Sequence, residues 1–127
     1  MRYTVSSEKP VEQLLTDLQA AVAAHHFGVL NVHDLQQTLK KKGQDLPQAC
    51  YILDVCNPQQ AIKVLNQDMG MNVALPCRIS VYEDGGGSKI GMIKPAAMLG
   101  VLSDSADLGA VAEEVEATML AIIEDAR

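Results

Sequence analysis

Aromatic residues, long apolar runs and basic charge are all scarce in this chain of 127 residues. Only 3% of the residues are aromatic and none is Trp, whereas 48% are hydrophobic, so the core must consist of Val, Ile, Leu, Met and Ala. No apolar run approaches the roughly 18 residues of a membrane-spanning helix, and the first residues, MRYTVSSEKP, lack the apolar stretch of a signal peptide. We therefore expect a cytoplasmic protein with no membrane partner.

The charge balance argues against nucleic acid as a partner. The net charge is -6, whereas attraction to a phosphate backbone requires an excess of Lys and Arg. The single basic run, Lys40-Lys41-Lys42, ends a predicted helix, where cations complement the helix dipole. We expect no nucleic-acid binding.

The sequence also lacks the spacings that mark metal sites and common hydrolases. The three cysteines, Cys50, Cys56 and Cys77, are odd in number and widely spaced, and no CxxC or matching histidine spacing accompanies them. Neither a disulfide framework nor a zinc site is therefore indicated. No HExxH, Walker or Ser-His-Asp pattern is present either. We predict no metal and no cofactor.

Apolar periodicity predicts a single domain over residues 1–127 with the element order β-α-β-α-β-α-β-β-α. This order is typical of an α+β two-layer sandwich, in which helices pack on one face of a mixed or antiparallel sheet. The two long amphipathic helices, predicted at Pro10 to His25 and Ser105 to Asp125, should cover the same sheet face. Glycines 85 to 87 are predicted to turn the chain between two paired strands.

The stretch LDVCNPQQA places Cys56 at the end of the third predicted strand and directly before a helix start. Asn57 is the predicted N-cap, Pro58 fits the first helical position, and Gln60 can reach back to the cap. A thiol near a helix N-terminus gains from unpaired N–H groups, which favour the thiolate. Cys56 is therefore either a reactive nucleophile or a small space-filling residue, as buried free cysteine usually is.

Strand alternation sorts the remaining polar side chains onto one sheet face. On the second strand, Gly28, Leu30 and Val32 are predicted to meet the helices, with Phe27 and Val29 opposite. The outer face should then gather Asn31, His33, Asp54, Cys56, Arg78, Ser80 and Tyr82. Three interpretations of this face are open. It is exposed to solvent, it forms a homodimer interface through Phe27, Val29 and Ile52, or it is a functional site. In a site, His33 and Asp54 form an acid–base pair if neighbouring strands bring them into contact.

Several segments together resemble one known family. They are FGVL from Phe27, TLK from Thr38, YIL from Tyr51, CNP from Cys56, LPC from Leu75, VYE from Val81 and ML from Met98. Across nearly the whole chain this pattern resembles the family catalogued as domain of unknown function 302. The resemblance implies a compact α+β fold in a small bacterial or archaeal protein that forms dimers, with no established activity. Members often carry Gly-Ala before CNP, where this chain has Asp54-Val55. Asp54 would therefore narrow a site there or add a negative charge to it.

Two functional hypotheses follow. The leading one is a homodimeric module that binds a small ligand or partner near the CNP turn through Asn31, Cys56, Asn57, Arg78 and Tyr82. The alternative is a thiol-dependent sulfur or redox carrier, or an enzyme, with Cys56 as nucleophile and His33 and Asp54 as further catalytic candidates. Under either hypothesis we predict no disulfide between Cys56 and Cys77, because alternation places them on opposite sheet faces.

Overall fold

The computed structural model describes all 127 residues and contains one five-stranded sheet. Its strands are β1 (Arg2–Ser7), β2 (Gly28–Asp34), β3 (Cys50–Cys56), β4 (Cys77–Asp84) and β5 (Gly87–Ile93). They lie in the order β1-β5-β4-β3-β2, and every neighbouring pair is antiparallel. The predicted α+β fold is confirmed, with a sheet that is antiparallel throughout.

Five helices and a 3₁₀ turn complete the chain. They are α1 (Val11–Ala24), α2 (Leu35–Lys41), α3 (Pro58–Gln67), the 3₁₀ turn (Met69–Ala74), α4 (Pro95–Leu102) and α5 (Ala106–Ala126). Both long helices, α1 and α5, lie within one residue of their predicted bounds at each end. None of the helices has the length and apolar character needed to cross a membrane.

Three helix starts are fixed by side chains that accept a hydrogen bond from the first turn. Asp34 accepts from the Gln37 N–H at the start of α2, and Asn57 accepts from the Gln60 N–H at the start of α3. Ser105 caps α5 in the same way. Each cap satisfies a backbone donor that the helix itself leaves free, which is why these residue types define the boundaries so well.

The main core lies between the sheet and the helix pair α1 and α5. It contains Leu14 and Leu18 of α1, Leu53, Ile79 and Ile90 of the central strands, and Met119, Ile122 and Ile123 of α5. All of these side chains are fully buried. The prediction that the two long helices cover the same sheet face is therefore confirmed. Burial of an apolar side chain of this size contributes about 1.5–3 kcal/mol, so this layer dominates the stability of the fold.

A smaller apolar cluster lies beside the main core. Its buried residues come from α3, the 3₁₀ turn, α4 and α5, and they are Val64, Met71, Ala74, Leu99, Leu108 and Ala112. Only α5 contributes to both clusters. The chain therefore packs α3, the 3₁₀ turn and α4 as a separate group around one end of α5.

The face assignment predicted for β2 is wrong in part. Val29 pairs with Val55, whereas Asn31 pairs with the adjacent Asp54, so Leu30 is an extra residue in a β-bulge. The bulge reverses the alternation before it: Phe27 is buried in the main core, Val29 packs against that core, and Leu30 is exposed. A homodimer interface built on Phe27 and Val29 at the outer sheet face is therefore excluded.

Candidate functional site

The CNP turn joins β3 to α3 and is fixed by two hydrogen bonds of Asn57. Its side-chain oxygen accepts from the Gln60 N–H at 3.2 Å, and its amide nitrogen donates to the His26 carbonyl at 3.4 Å. Pro58 occupies the start of α3, where its missing N–H costs nothing. Asn57 thus ties the end of α1 to the start of α3 and serves as a structural cap.

An apolar cavity of about 40 Å³ opens directly beside this turn, between the two apolar clusters. Thirteen of its seventeen lining residues are hydrophobic. The sheet contributes Val55, Cys56 and Cys77, and the remaining walls come from α3, α4, α5 and the segment before β4. A volume of this size holds only a few small atoms, because one water needs about 10–15 Å³ by the same measure.

Gln60 gives this apolar cavity its one unmatched polar atom. The predicted bond from the Gln60 side chain back to the cap is wrong: Gln60 lines the cavity, and its Oε1 atom is buried and has no hydrogen-bond partner. A buried acceptor without a partner costs about 1–3 kcal/mol. A donor group that enters the cavity beside Gln60 and reaches this atom would remove that cost.

Cys56 and Cys77 both line the cavity and are not bonded to each other. Cys77 pairs with Val55 and lies on the helix-facing side of the sheet, as alternation predicts. Cys56, at the end of β3, nevertheless lines the same cavity. Both cysteines are free, as predicted, but the predicted reason, that opposite sheet faces keep the two side chains apart, is wrong. Burial raises the pKa of the Cys56 thiol, and burial together with the charge of Cys56 raises the pKa of Cys77 to about 11.

The raised pKa predicts slow alkylation of Cys56. We expect iodoacetamide to label Cys56 in the folded protein more slowly than it labels glutathione at pH 7–8, because only the thiolate reacts and burial disfavours it. Peptide mapping of labelled protein over a pH series gives the rate for each cysteine. Fast labelling of Cys56, with an apparent thiol pKa well below roughly 8.5, would contradict this expectation and support the thiol-dependent hypothesis.

The outer face of the sheet carries the other predicted site residues. The register brings His33 and Asp54 together: His33 Nε2 lies 2.7 Å from Asp54 Oδ2. Asp54 Oδ1 lies 3.5 Å from the Arg78 Nε atom on the neighbouring strand. The Asp54 side chain is 10% exposed, whereas those of His33 and Arg78 are 50% and 69% exposed. The buried carboxylate thus bonds His33 through one oxygen, whereas its other oxygen makes only a long ionic contact with Arg78 and has no hydrogen-bond partner.

A broad bowl of about 500 Å³ lies over the centre of this outer face. Its rim and floor include Arg78, Ser80 and Tyr82 of β4, together with residues of β1, β3 and β5. No group of three or more His, Cys, Asp or Glu side chains is arranged to hold a metal ion, either here or elsewhere in the chain.

The predicted site residues therefore divide between two separate places. Cys56 and Asn57 belong to the apolar cavity, whereas Arg78 and Tyr82 line the bowl, with His33 and Asp54 beside it on the same face. Asn31 pairs with Asp54 on the outer face and lines neither concavity. Sequence reasoning missed Gln60 as a cavity residue, although a polar side chain one turn before the buried Val64 is the signal that could have found it.

The protein is a small α+β sandwich in which helices cover only one face of the single antiparallel sheet. The chain belongs to the family described as Domain of unknown function DUF302, whose model matches residues 3–126. The resemblance inferred from the CNP and LPC motifs is thereby confirmed.

A solved structure supports the same assignment. The chain is similar to an uncharacterized conserved protein DUF302 from Bacillus stearothermophilus, known from a crystal structure, with a TM-score of 0.93 and 32% sequence identity. The match covers 99% of this chain and 98% of that chain. No curated protein matches this chain.

Proposed function

We propose that this protein is a homodimeric binding module that holds a small, mainly apolar ligand in the cavity beside the CNP turn. The observation that carries the proposal is the cavity itself. Its walls are mainly apolar, and one of its lining residues, Gln60, has a buried Oε1 atom without a hydrogen-bond partner. Binding sites for small molecules commonly combine apolar walls with a few polar groups that fix orientation. A ligand with an apolar body and one hydroxyl or amine donor fits this combination.

The size of the cavity limits which part of a ligand it accepts. About 40 Å³ admits a methyl group or the end of a short alkyl chain. A groove of about 250 Å³, distinct from the bowl, adjoins the cavity. The two share Ala74, Leu75, Pro76, Cys77, Pro95 and Met98. A ligand that places a narrow end in the cavity therefore has room for a larger part in this adjoining groove.

The homodimer is proposed on a different surface from the one the sequence suggested. Large apolar side chains are exposed on α3, the 3₁₀ turn and α4, and they are Ile62, Met69, Val73, Val101 and Leu102. Val73 is 75% exposed and Val101 is 74% exposed. Apolar side chains gathered on one group of elements are typical of an interface, since monomers rarely leave large apolar patches in water. Pairing of two copies through this surface would cover the elements that wall the cavity.

Native mass spectrometry of protein purified from its own cells tests both parts of this proposal. We expect a species at twice the chain mass that carries a small bound molecule and releases it on unfolding. The neutral fluorescent probe N-phenyl-1-naphthylamine is too large for the cavity alone, and it should compete with that molecule by lying in the adjoining groove with the edge of one ring at the cavity.

A pair of matched variants locates the binding site. Ala61→Phe places a ring in the cavity wall and should abolish probe binding, whereas Ala110→Phe makes the same change on the exposed side of α5 and should not. Equal probe binding by the two variants, or a monomeric and unliganded protein, counts against the proposal.

A further inference from the structure

The uncovered face of the sheet carries a second site that does not depend on the apolar cavity. We infer that the bowl over this face binds a small hydroxylated organic oxyanion, in which a phosphate or carboxylate group meets Arg2 and Arg78. Cationic side chains, hydroxyl groups and the backbone of Gly91 occur together in the bowl.

The charge of the bowl is opposite to that of the chain as a whole. Three of its ten lining residues, Arg2, Arg78 and Lys89, are cationic and none is acidic, although the net charge of the chain is -6. Outside the lining, Asp54 lies 3.5 Å from Arg78 and Asp84 lies 3.6 Å from Lys89, so Arg2 is the cation without an acidic partner. These cations come from three different strands. Cations concentrated in a concave surface raise the local concentration of anions and orient them. The same positive charge opposes the pairing of two copies through this face, because each copy would bring the same cations.

The register brings two arginines to one end of the bowl. Arg2 pairs with Ile93, which lies two positions beyond Gly91, the partner of Ser80. The pairing of β4 with β5 ends at Ser80 and Gly91, and Arg78 lies two positions before Ser80. Arg2 and Arg78 therefore lie toward the same end of the bowl, on the two strands that flank β5. Both arginines line the bowl, and one oxyanion between them can meet both guanidinium groups. Guanidinium groups form strong paired hydrogen bonds with phosphate and carboxylate.

Asp54 makes a long ionic contact with Arg78 but no hydrogen bond to it. Its Oδ1 atom faces Nε of the guanidinium at 3.5 Å, while His33 occupies its other oxygen. The two terminal nitrogens of Arg78 are therefore not engaged by Asp54 and can donate to a ligand. Asp54 itself is buried beside the bowl and does not line it.

The centre of the bowl is suited to the body of a hydroxylated ligand. Gly91 is flanked by two hydroxyl groups, since a Cβ atom built there would lie 3.3 Å from Ser80 Oγ and 3.6 Å from Thr4 Oγ1. Tyr82 adds a third hydroxyl group from the lining. A volume of about 500 Å³ exceeds what an inorganic ion needs and lies within the usual range for small-molecule sites.

Titration with ribose, inorganic phosphate and ribose 5-phosphate tests the assignment, with backbone amide shifts in NMR spectra as the readout. We expect ribose 5-phosphate to bind at least about tenfold more tightly than ribose and to shift the Gly91 amide. Inorganic phosphate should bind at the arginine end with intermediate affinity. Ribose 5-phosphate that binds no better than ribose, or shifts spread over all lysines, overturns the inference.

Variants on exposed positions separate this site from general charge attraction. Arg78→Gln and Arg2→Gln should each lower the affinity for ribose 5-phosphate about tenfold, whereas Lys63→Gln removes the same charge from an exposed, unpaired position and should not. Gly91→Ala should lower the affinity for ribose 5-phosphate and leave inorganic phosphate unchanged. Equal losses in Arg78→Gln and Lys63→Gln, with both variants folded, overturn the assignment.

Discussion

Leu99→Ala is expected to lower the free energy of unfolding by about 2–3 kcal/mol and to increase the affinity for a neutral apolar probe. Leu99 is buried in the smaller apolar cluster and forms part of the cavity wall. Its truncation joins new empty space to the existing cavity of about 40 Å³. The cost should lie at the low end for a Leu→Ala change, because one side of Leu99 already faces the cavity and loses few packing contacts on truncation.

Leu53→Ala is the matched control for this prediction. Leu53 is fully buried at the centre of the main core and does not line the cavity. We expect a larger loss, about 4–5 kcal/mol, without any gain in binding of N-phenyl-1-naphthylamine, since the new void is enclosed. Urea unfolding gives the two free energies, and fluorescence titration gives the probe affinities. Equal probe affinities for Leu99→Ala and Leu53→Ala would argue against a ligand-accessible cavity at Leu99.

Alkaline pH is expected to destabilise the protein by about 2–3 kcal/mol through Cys77 alone. Burial raises the pKa of this thiol from an ordinary value of 9.0 to about 11. Because the folded pKa lies above the unfolded one, the contribution of Cys77 to stability is fully present below pH 9. It is lost as the pH rises through about 11, where the folded protein must accept a buried thiolate.

Cys77→Ala removes this titration and should flatten the fall in unfolding free energy between about pH 9 and pH 11. Cys50→Ala is the comparison: burial and the charge of Asp34 also raise the pKa of Cys50, but Cys50 is less deeply buried, so its removal should flatten the fall to a smaller extent. Denaturant unfolding at several pH values separates the packing cost of each variant, which is constant with pH, from the titration. A wild-type profile parallel to that of Cys77→Ala would show that this thiol is not buried in solution.

Local patterns were sufficient to predict the helices and the central strands. The stripe of apolar residues in α1 and α5 recurs at helical spacing, and Asp34, Asn57 and Ser105 mark helix starts by a bond made within one turn. In β3 and β4 the alternation runs without interruption, so the pattern that predicts Arg78 and Ser80 on the outer face also puts Leu53 and Ile79 in the core. These features depend on neighbours in the chain, which the sequence displays directly.

The bulge in β2 shows where local alternation fails. Nothing in the run from Phe27 to His33 distinguishes a regular strand from one with an extra residue at Leu30. Pairing with β3 decides the outcome, because the bulge turns Phe27 and Val29 toward the core while keeping Asn31 and His33 on the outer face. Burial of those two apolar side chains outweighs the one interrupted pairing of the ladder.

The sequence by itself determined the α+β class, the helix caps and the polar character of one sheet face. Only the tertiary structure separated the apolar cavity at Cys56 from the bowl at Arg78, and only it placed Gln60, Leu99 and Arg2 at these sites. The walls of both concavities come from elements far apart in the chain. Their positions depend on how α3, α4 and α5 pack and on which strands become neighbours, and these long-range contacts leave no periodic signal in the sequence.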